Sequence, residues 1–262
     1  MSDYGKQIRL NRILRGGSRK ALVVAFDHAL FHGPIAGTID PAKQVKAFAD
    51  GGADAILLNR GLMGIAYQGL LNAQAPSLIM RLDWSSAWTA LVSGGALRSN
   101  VLVHPEEALQ AGADAALTFL IIGTGDLEFE AGEIARNAEL ARECEKVGLP
   151  LIVETLARGK MVDNPTSPEW IKRHTRFAVE LGADVLKTEY TGDVETMKDV
   201  VESTLAPILV LGGARKSGDD GLDTVRGAVA SGAAGVFFGR NVFQAPDIPA
   251  FLGDIRAVLN GK

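Results

Sequence analysis

Four segments of the chain repeat one small pattern: DGGADAILLNR at 50–60, QAGADAALTFL at 110–120, ELGADVLKTEY at 180–190 and ASGAAGVFFGR at 230–240. In each, a helical stretch stops at glycine, which can adopt the left-handed conformation that ends a helix, and a short apolar strand follows within a few residues. Four helix-to-strand joints of this kind are hard to reconcile with an all-helical or an all-β chain. Apolar runs bounded by turn residues supply four more strands: ALVVAFD at 21–27, SLIMRLD at 77–83, LPLIVET at 149–155 and APILVLGG at 206–213. Helical periodicity separates most of them, clearest over 131–147, 168–181 and 248–259. Strands too apolar to alternate, each followed by a helix, indicate a parallel sheet covered on both faces. Eight such units in 262 residues predict a closed (β/α)8 TIM barrel rather than a doubly wound open sheet. No linker or composition shift divides the chain, so residues 1–262 are expected to form a single domain, with 83–103 (DWSSAWTALVSGGALRSNVLV) as an insertion after the third strand.

Composition narrows the partners. Lys and Arg number 27 against 31 Asp and Glu, with no basic block that could neutralise a row of phosphates, so nucleic acid is not an expected partner. The single cysteine, Cys144, lies at helical spacing in LARECEKVG and can form no intramolecular disulfide; a packed thiol in a reducing, cytoplasmic protein fits. No apolar run reaches the roughly 18–20 residues that span a bilayer, and the first twenty residues contain no apolar signal core, so neither export nor membrane insertion is expected.

In barrels of this type the C-terminal ends of the strands form the working face. Here those ends are polar: Asp27 and His28 on strand one, Asp83 on strand three, Glu154 and Thr155 on strand five, Lys187 and Glu189 on strand six, Gly212 and Gly213 on strand seven, Gly239 and Arg240 on strand eight. A buried charge costs free energy unless it is paired, so a purely structural barrel has no need of them. Lys187 is either one half of an ion pair with Asp27, Glu154 or Glu189, or a nucleophile. Desolvation favours its free amine while neighbouring carboxylates favour its charged form, and the sequence leaves the balance open. The loops LVLGGARKSG and VFFGRN follow strands seven and eight, where such barrels commonly hold a phosphate. Gly212, Gly213, Arg215, Lys216, Gly239 and Arg240 offer an anion close backbone approach and cations.

AFDH on strand one, LKTEYTGD on strand six, GGARK on strand seven and FGRNVFQ on strand eight resemble the archaeal-type class I fructose-bisphosphate aldolase family. Its superfamily also holds the aminodideoxyheptulosonate synthases of aromatic amino-acid precursor synthesis and a thiolase that degrades a phosphorylated autoinducer. The resemblance runs over nearly the whole chain. It implies a Schiff-base-forming lyase that reversibly cleaves a C–C bond in a phosphorylated ketose. It further implies Lys187 as the imine-forming residue, Asp27 in the active site, Gly212, Gly213, Gly239 and Arg240 around the substrate phosphate, and a homo-oligomer. A lysine imine supplies its own electron sink and no metal-ligand spacing stands out, so neither metal nor other cofactor is expected.

One departure stands out. Where the aldolases resemble Tyr-Pro-Arg-Gly, with the tyrosine as general acid/base, this chain reads Leu156-Ala157-Arg158-Gly159. Glu154, ending strand five beside that place, is the first candidate to move the proton, with Glu189 and Asp27 behind it; such a carboxylate needs a raised pKa to act as an acid near neutrality. The thiolase branch also lacks that tyrosine, and its first loop is similar to FDHALFHGPIAG here. That leaves acyl transfer to coenzyme A from a lysine-bound phosphorylated dione, or a non-catalytic sugar-phosphate-binding barrel, as alternatives. His28, His32 and Arg158 join the substrate-binding candidates, while His104 and His174 read as structural. Trp84 and Trp88, four apart, either wall the barrel mouth or pack in the core.

Overall fold

Eight strands close into a parallel barrel in the computed structural model, which describes residues 4–15, 20–72, 74–215 and 221–262. They are β1 (Ala21–Ala25), β2 (Ala55–Leu58), β3 (Ser77–Arg81), β4 (Ala115–Ile122), β5 (Leu151–Ala157), β6 (Val185–Thr188), β7 (Ile208–Leu211) and β8 (Gly235–Phe238). Each pairs with its neighbours in chain order, and β8 closes onto β1 with Ala21 opposite Gly235. This is a (β/α)8 TIM barrel. Alternate residues serve its two surfaces: Ala21, Val23 and Ala25 join Leu57, Ile79, Leu117, Ile152, Leu209 and Phe237 inside the barrel, while Leu22 and Val24 pack outward with Val45, Phe48 and Leu252 of the surrounding helices.

The repeated joint has a physical basis. Gly52, Gly112, Gly182 and Gly232 stand at φ of 76°, 90°, 105° and 84°, the left-handed region that a side chain disfavours. In three of the four joints an aspartate stands two residues later, and two of these tie the joint to a neighbouring strand: Asp54 accepts a hydrogen bond from the amide of Leu22 at 2.9 Å, and Asp184 accepts from the amide of Leu151 at 2.8 Å. At these two joints the motif both ends a helix and satisfies an amide at the start of an adjacent strand.

β3 ends at Arg81, two residues short of the expected Asp83. Leu82 still donates to Leu117 of β4, but Asp83–Ser85 leaves the barrel and pairs antiparallel with Ser99–Val101, enclosing the helix Ala87–Ser93. The helix Leu127–Val147 covers β4; the side chain of Asp126 caps its start and left-handed Gly148 its end. Cys144 is buried in this helix, and burial pushes its thiol up to about 12. Among the described residues no helix is long and apolar enough to cross a membrane.

Candidate active site

Lys187 on β6 and Glu154 on β5 are opposite one another in register, so their side chains share the interior face. Both are nearly inaccessible, and the ammonium donates to Glu154 Oε1 at 2.8 Å. The other oxygen of Glu154 accepts from Arg81 Nη2 at 2.7 Å. Arg81, the last residue of β3, also donates through Nε to Asp27 at 2.8 Å and through Nη1 to Asp83 at 3.3 Å. Its guanidinium carbon lies 3.8 Å from the centroid of the Phe119 ring. One arginine thus joins the ends of β1, β5 and the hairpin. Asp83 in turn accepts from the amide of Phe119 at 2.8 Å and pairs with Arg136 at 3.1 Å.

These contacts decide the charge states. Burial raises the proton affinity of Asp27 and Glu154, but Arg81 at the first and Lys187 with Arg81 at the second outweigh it, leaving both carboxyls below their usual range. The raised pKa that an acid role for Glu154 calls for is therefore absent from the resting site, because two cations hold its ionised form. His28 lies well below a solvent-exposed imidazole: burial, reinforced by Lys187 and Arg240 against the pull of Asp27, brings it down to about 4.

Above this cluster opens a cavity of about 270 Å³ at the C-terminal ends of the strands. It gathers Asp27, His28, His32, Arg81, Glu154, Arg158, Lys187, Glu189, Gly212, Gly213, Gly239 and Arg240. Glu189, beyond the end of β6, clamps Arg158 through two parallel hydrogen bonds of 2.8 Å each. On β8, a Cβ added at Gly239 would stand 2.3 Å from His28 Cε1, so the imidazole lies directly on the glycine backbone. Gly213, at φ 65°, faces open space. With its amide turned so that nitrogen faces both carbonyls, Asn241 reaches Gly212 O at 3.1 Å and Gly213 O at 3.2 Å, fastening the β7 loop to the β8 loop.

One of the cations expected at an anion site is placed differently. Arg215 does not line the cavity; it donates to the carbonyl of Asn241 at 2.7 Å and stands 5.5 Å from the ring centroid of Phe251. Lys216 lies outside the described residues. Leu156, standing for the family tyrosine, lines the cavity with Phe31, Trp88 and Phe119. Trp84 does not. Among the described residues, no three His, Cys, Asp or Glu side chains group to hold a metal ion. A larger cavity, about 1110 Å³, lies by the N-terminal ends of β3 and β4. Of its three arginines, Arg12 and Arg15 already face Asp114 and Asp54, and it lacks a cluster like that around Lys187.

The sequence reading overlooked Arg81, the cavity role of Phe119, and Asn241. An arginine inside SLIMRLD was the available signal: a cation in a strand that must face the barrel interior requires carboxylates around it.

Residues 21–245 match the family model described as the DeoC/LacD family aldolase. The chain belongs to that family. The class 1 fructose-bisphosphate aldolase of Thermoproteus tenax is 33% identical to this family member over 249 residues, covering 92% of this chain and 90% of the relative. The 2-amino-4,5-dihydroxy-6-oxo-7-(phosphonooxy)heptanoate synthase of Streptomyces griseus is 33% identical over 256 residues, covering 97% and 89%. Among solved structures, an archaeal fructose-1,6-bisphosphate aldolase with its catalytic lysine covalently bound to the carbinolamine intermediate superimposes with a TM-score of 0.83 at 30% identity, covering 97% of this chain and 99% of that one. As a DeoC/LacD aldolase with these relatives, the protein is a class I aldolase, a lyase working through a lysine Schiff base.

Proposed function

We propose that Lys187 is the Schiff-base lysine and that the substrate is a phosphorylated ketose or a related carbonyl compound, cleaved reversibly at the C–C bond next to the imine. The observation that carries this reading is the buried Lys187–Glu154 hydrogen bond of 2.8 Å at the floor of a cavity rimmed by Gly213, Gly239 and Arg240. The lysine passes a proton to Glu154 and its amine adds to the ketone; loss of water gives the iminium. That cation accepts the electron pair of the breaking C–C bond while Glu154 takes the proton of the hydroxyl on the departing carbon, and an enamine and an aldehyde result. Gly212, Gly213, Gly239 and Arg240 hold the phosphate, with Lys216 a further cation for it, and His28 and His32 contact the substrate from the first loop.

Glu154 replaces the tyrosine as the proton carrier, and the charge on the lysine nitrogen tunes it. While that nitrogen is positive, Glu154 is held ionised; when it is neutral, as carbinolamine or enamine, Glu154 keeps Arg81 but loses the charge of Lys187 and its proton affinity rises. Protonation and deprotonation thus alternate with the covalent steps without a resting pKa near neutrality. Asp27 holds Arg81 in place, and Glu189 does the same for Arg158. Lysine-imine chemistry of this kind requires no metal or organic cofactor.

Borohydride reduction in the presence of dihydroxyacetone phosphate tests the assignment. The wild type gains one reduced adduct by intact mass, peptide mapping places it on Lys187, and Lys187→Met gains none. An adduct that persists in the variant overturns the reading.

A further inference from the structure

The cavity has a cation without a carboxylate partner on one side and an aromatic wall on the other. Among its described cations, Arg81 faces three carboxylates, Lys187 faces Glu154 and Arg158 is held by both oxygens of Glu189. Arg240 has no such partner, and its Nε is buried without a hydrogen bond. It stands beside β8, with Gly212 and Gly213 on the adjoining β7 loop. Across the closed barrel, Phe119 of β4 and Leu156 of β5 form the opposite wall, joined by Trp88 from the hairpin after β3 and Phe31 from the loop after β1. There Phe31, Trp88 and Phe119 meet edge to face, with ring centroids 5.3 Å apart for Phe31–Phe119, 5.6 Å for Trp88–Phe119 and 6.5 Å for Phe31–Trp88. Leu156 extends this surface. Its one polar side-chain atom, Trp88 Nε1, is buried without a partner.

Lys187 lies between the two sides, so a ketose bound as its imine extends one arm to each. We propose that the arm cleaved from the imine, the aldehyde half, is unphosphorylated and apolar, an aliphatic or aromatic aldehyde selected by Phe31, Trp88, Phe119 and Leu156. The inference rests on the imine assignment above. A phosphate on that arm loses its hydration against three rings and a leucine, and the cations within the cavity on that side are already committed, Arg81, stacked on Phe119, to three carboxylates and Arg158 to Glu189. An apolar arm instead gains the burial of its own surface, and Trp88 Nε1–H supplies one donor for an ether, ester or hydroxyl oxygen. In the synthetic direction the enamine carbon attacks the aldehyde carbon, and the carbonyl π pair moves to oxygen, which takes a proton from Glu154. The nitrogen lone pair re-forms the iminium, and one water releases the ketone and the Lys187 amine.

The test uses the full chain with dihydroxyacetone phosphate as donor and two acceptors, phenylacetaldehyde and glyceraldehyde 3-phosphate. Wild type should favour phenylacetaldehyde in kcat/KM by about tenfold or more. Trp88→Ala and Phe31→Ala should each reduce that preference by about tenfold, read as the ratio of the two kcat/KM values so that the folded fraction cancels. Equal use of both aldehydes, preference for the phosphorylated one, or ratios indifferent to both variants overturns the inference while a borohydride adduct of the donor on Lys187 leaves the imine assignment standing. Absence of that donor adduct overturns both.

Discussion

Glu154 is held by two cations of different kinds, a lysine that the proposed reaction consumes and an arginine that it does not. Removing its charge tests the proposed proton transfer. Glu154→Gln should lower turnover by roughly 10²–10⁴, the range for a lost acid/base group, while borohydride still traps a ketone phosphate on Lys187. Unchanged turnover would assign the proton to another group. Arg240→Ala should act differently, raising KM for a phosphorylated substrate with little change in kcat, because a contact to a non-reacting phosphate stabilises ground and transition states alike. The loss should be roughly 1.5–3 kcal/mol, and an unphosphorylated analogue should not suffer it. A charge inside an apolar strand is conspicuous in a sequence, so Lys187 and Glu154 were legible. Phe119 and Leu156 were not legible as cavity walls, since an apolar residue at a strand end reads as core whether it meets a helix or a substrate. Arg215 shows the reverse limit: its type suits an anion, but its loop turns it onto Asn241 and Phe251.

The Asp83–Val101 hairpin is the element that adds most to a plain barrel, since it presents Trp88 to the cavity. Asp83 anchors it, fully buried between Arg81, Arg136 and the Phe119 amide. Asp83→Asn removes the carboxylate that Arg81 and Arg136 share, and breaking a buried pair in this way typically costs about 3–5 kcal/mol. A fall in unfolding free energy of that size, read from urea melts, is expected; a loss under about 1 kcal/mol would mean that Asp27 and Glu154 at Arg81 and Glu133 at Arg136 suffice without it. Four of the eight strands were readable because a glycine marks the joint before them, and the other four as apolar runs bounded by turn residues. The end of β3 was not, because SLIMRLD continues apolar through Leu82 while the chain already turns away from the barrel, and only the pull of Arg136 and the Phe119 amide on Asp83 settles where.

Stability of the whole molecule should depend on pH through two histidines. Burial brings His28 down to about 4 and His174, fully buried with neither ring nitrogen bonded, to about 3, from the usual 6.5. Below pH 6.5 the unfolded chain binds protons that the folded one refuses. Each histidine therefore costs about 1.4 kcal/mol per pH unit as pH falls toward its folded value, and above 6.5 neither contributes. Exposed His104, paired with Glu143, shifts the opposite way and is screened by water. Urea midpoints should fall steadily from pH 7 to pH 4.5, and His174→Leu should make the decline shallower; an identical slope would mean that the histidine is hydrated. A last consequence follows from Arg81. Its carboxylates come from residues 27, 83 and 154, far apart in the chain, so a half-formed barrel strands a desolvated cation. The site's own electrostatics thereby penalise partial folds and favour all-or-none assembly.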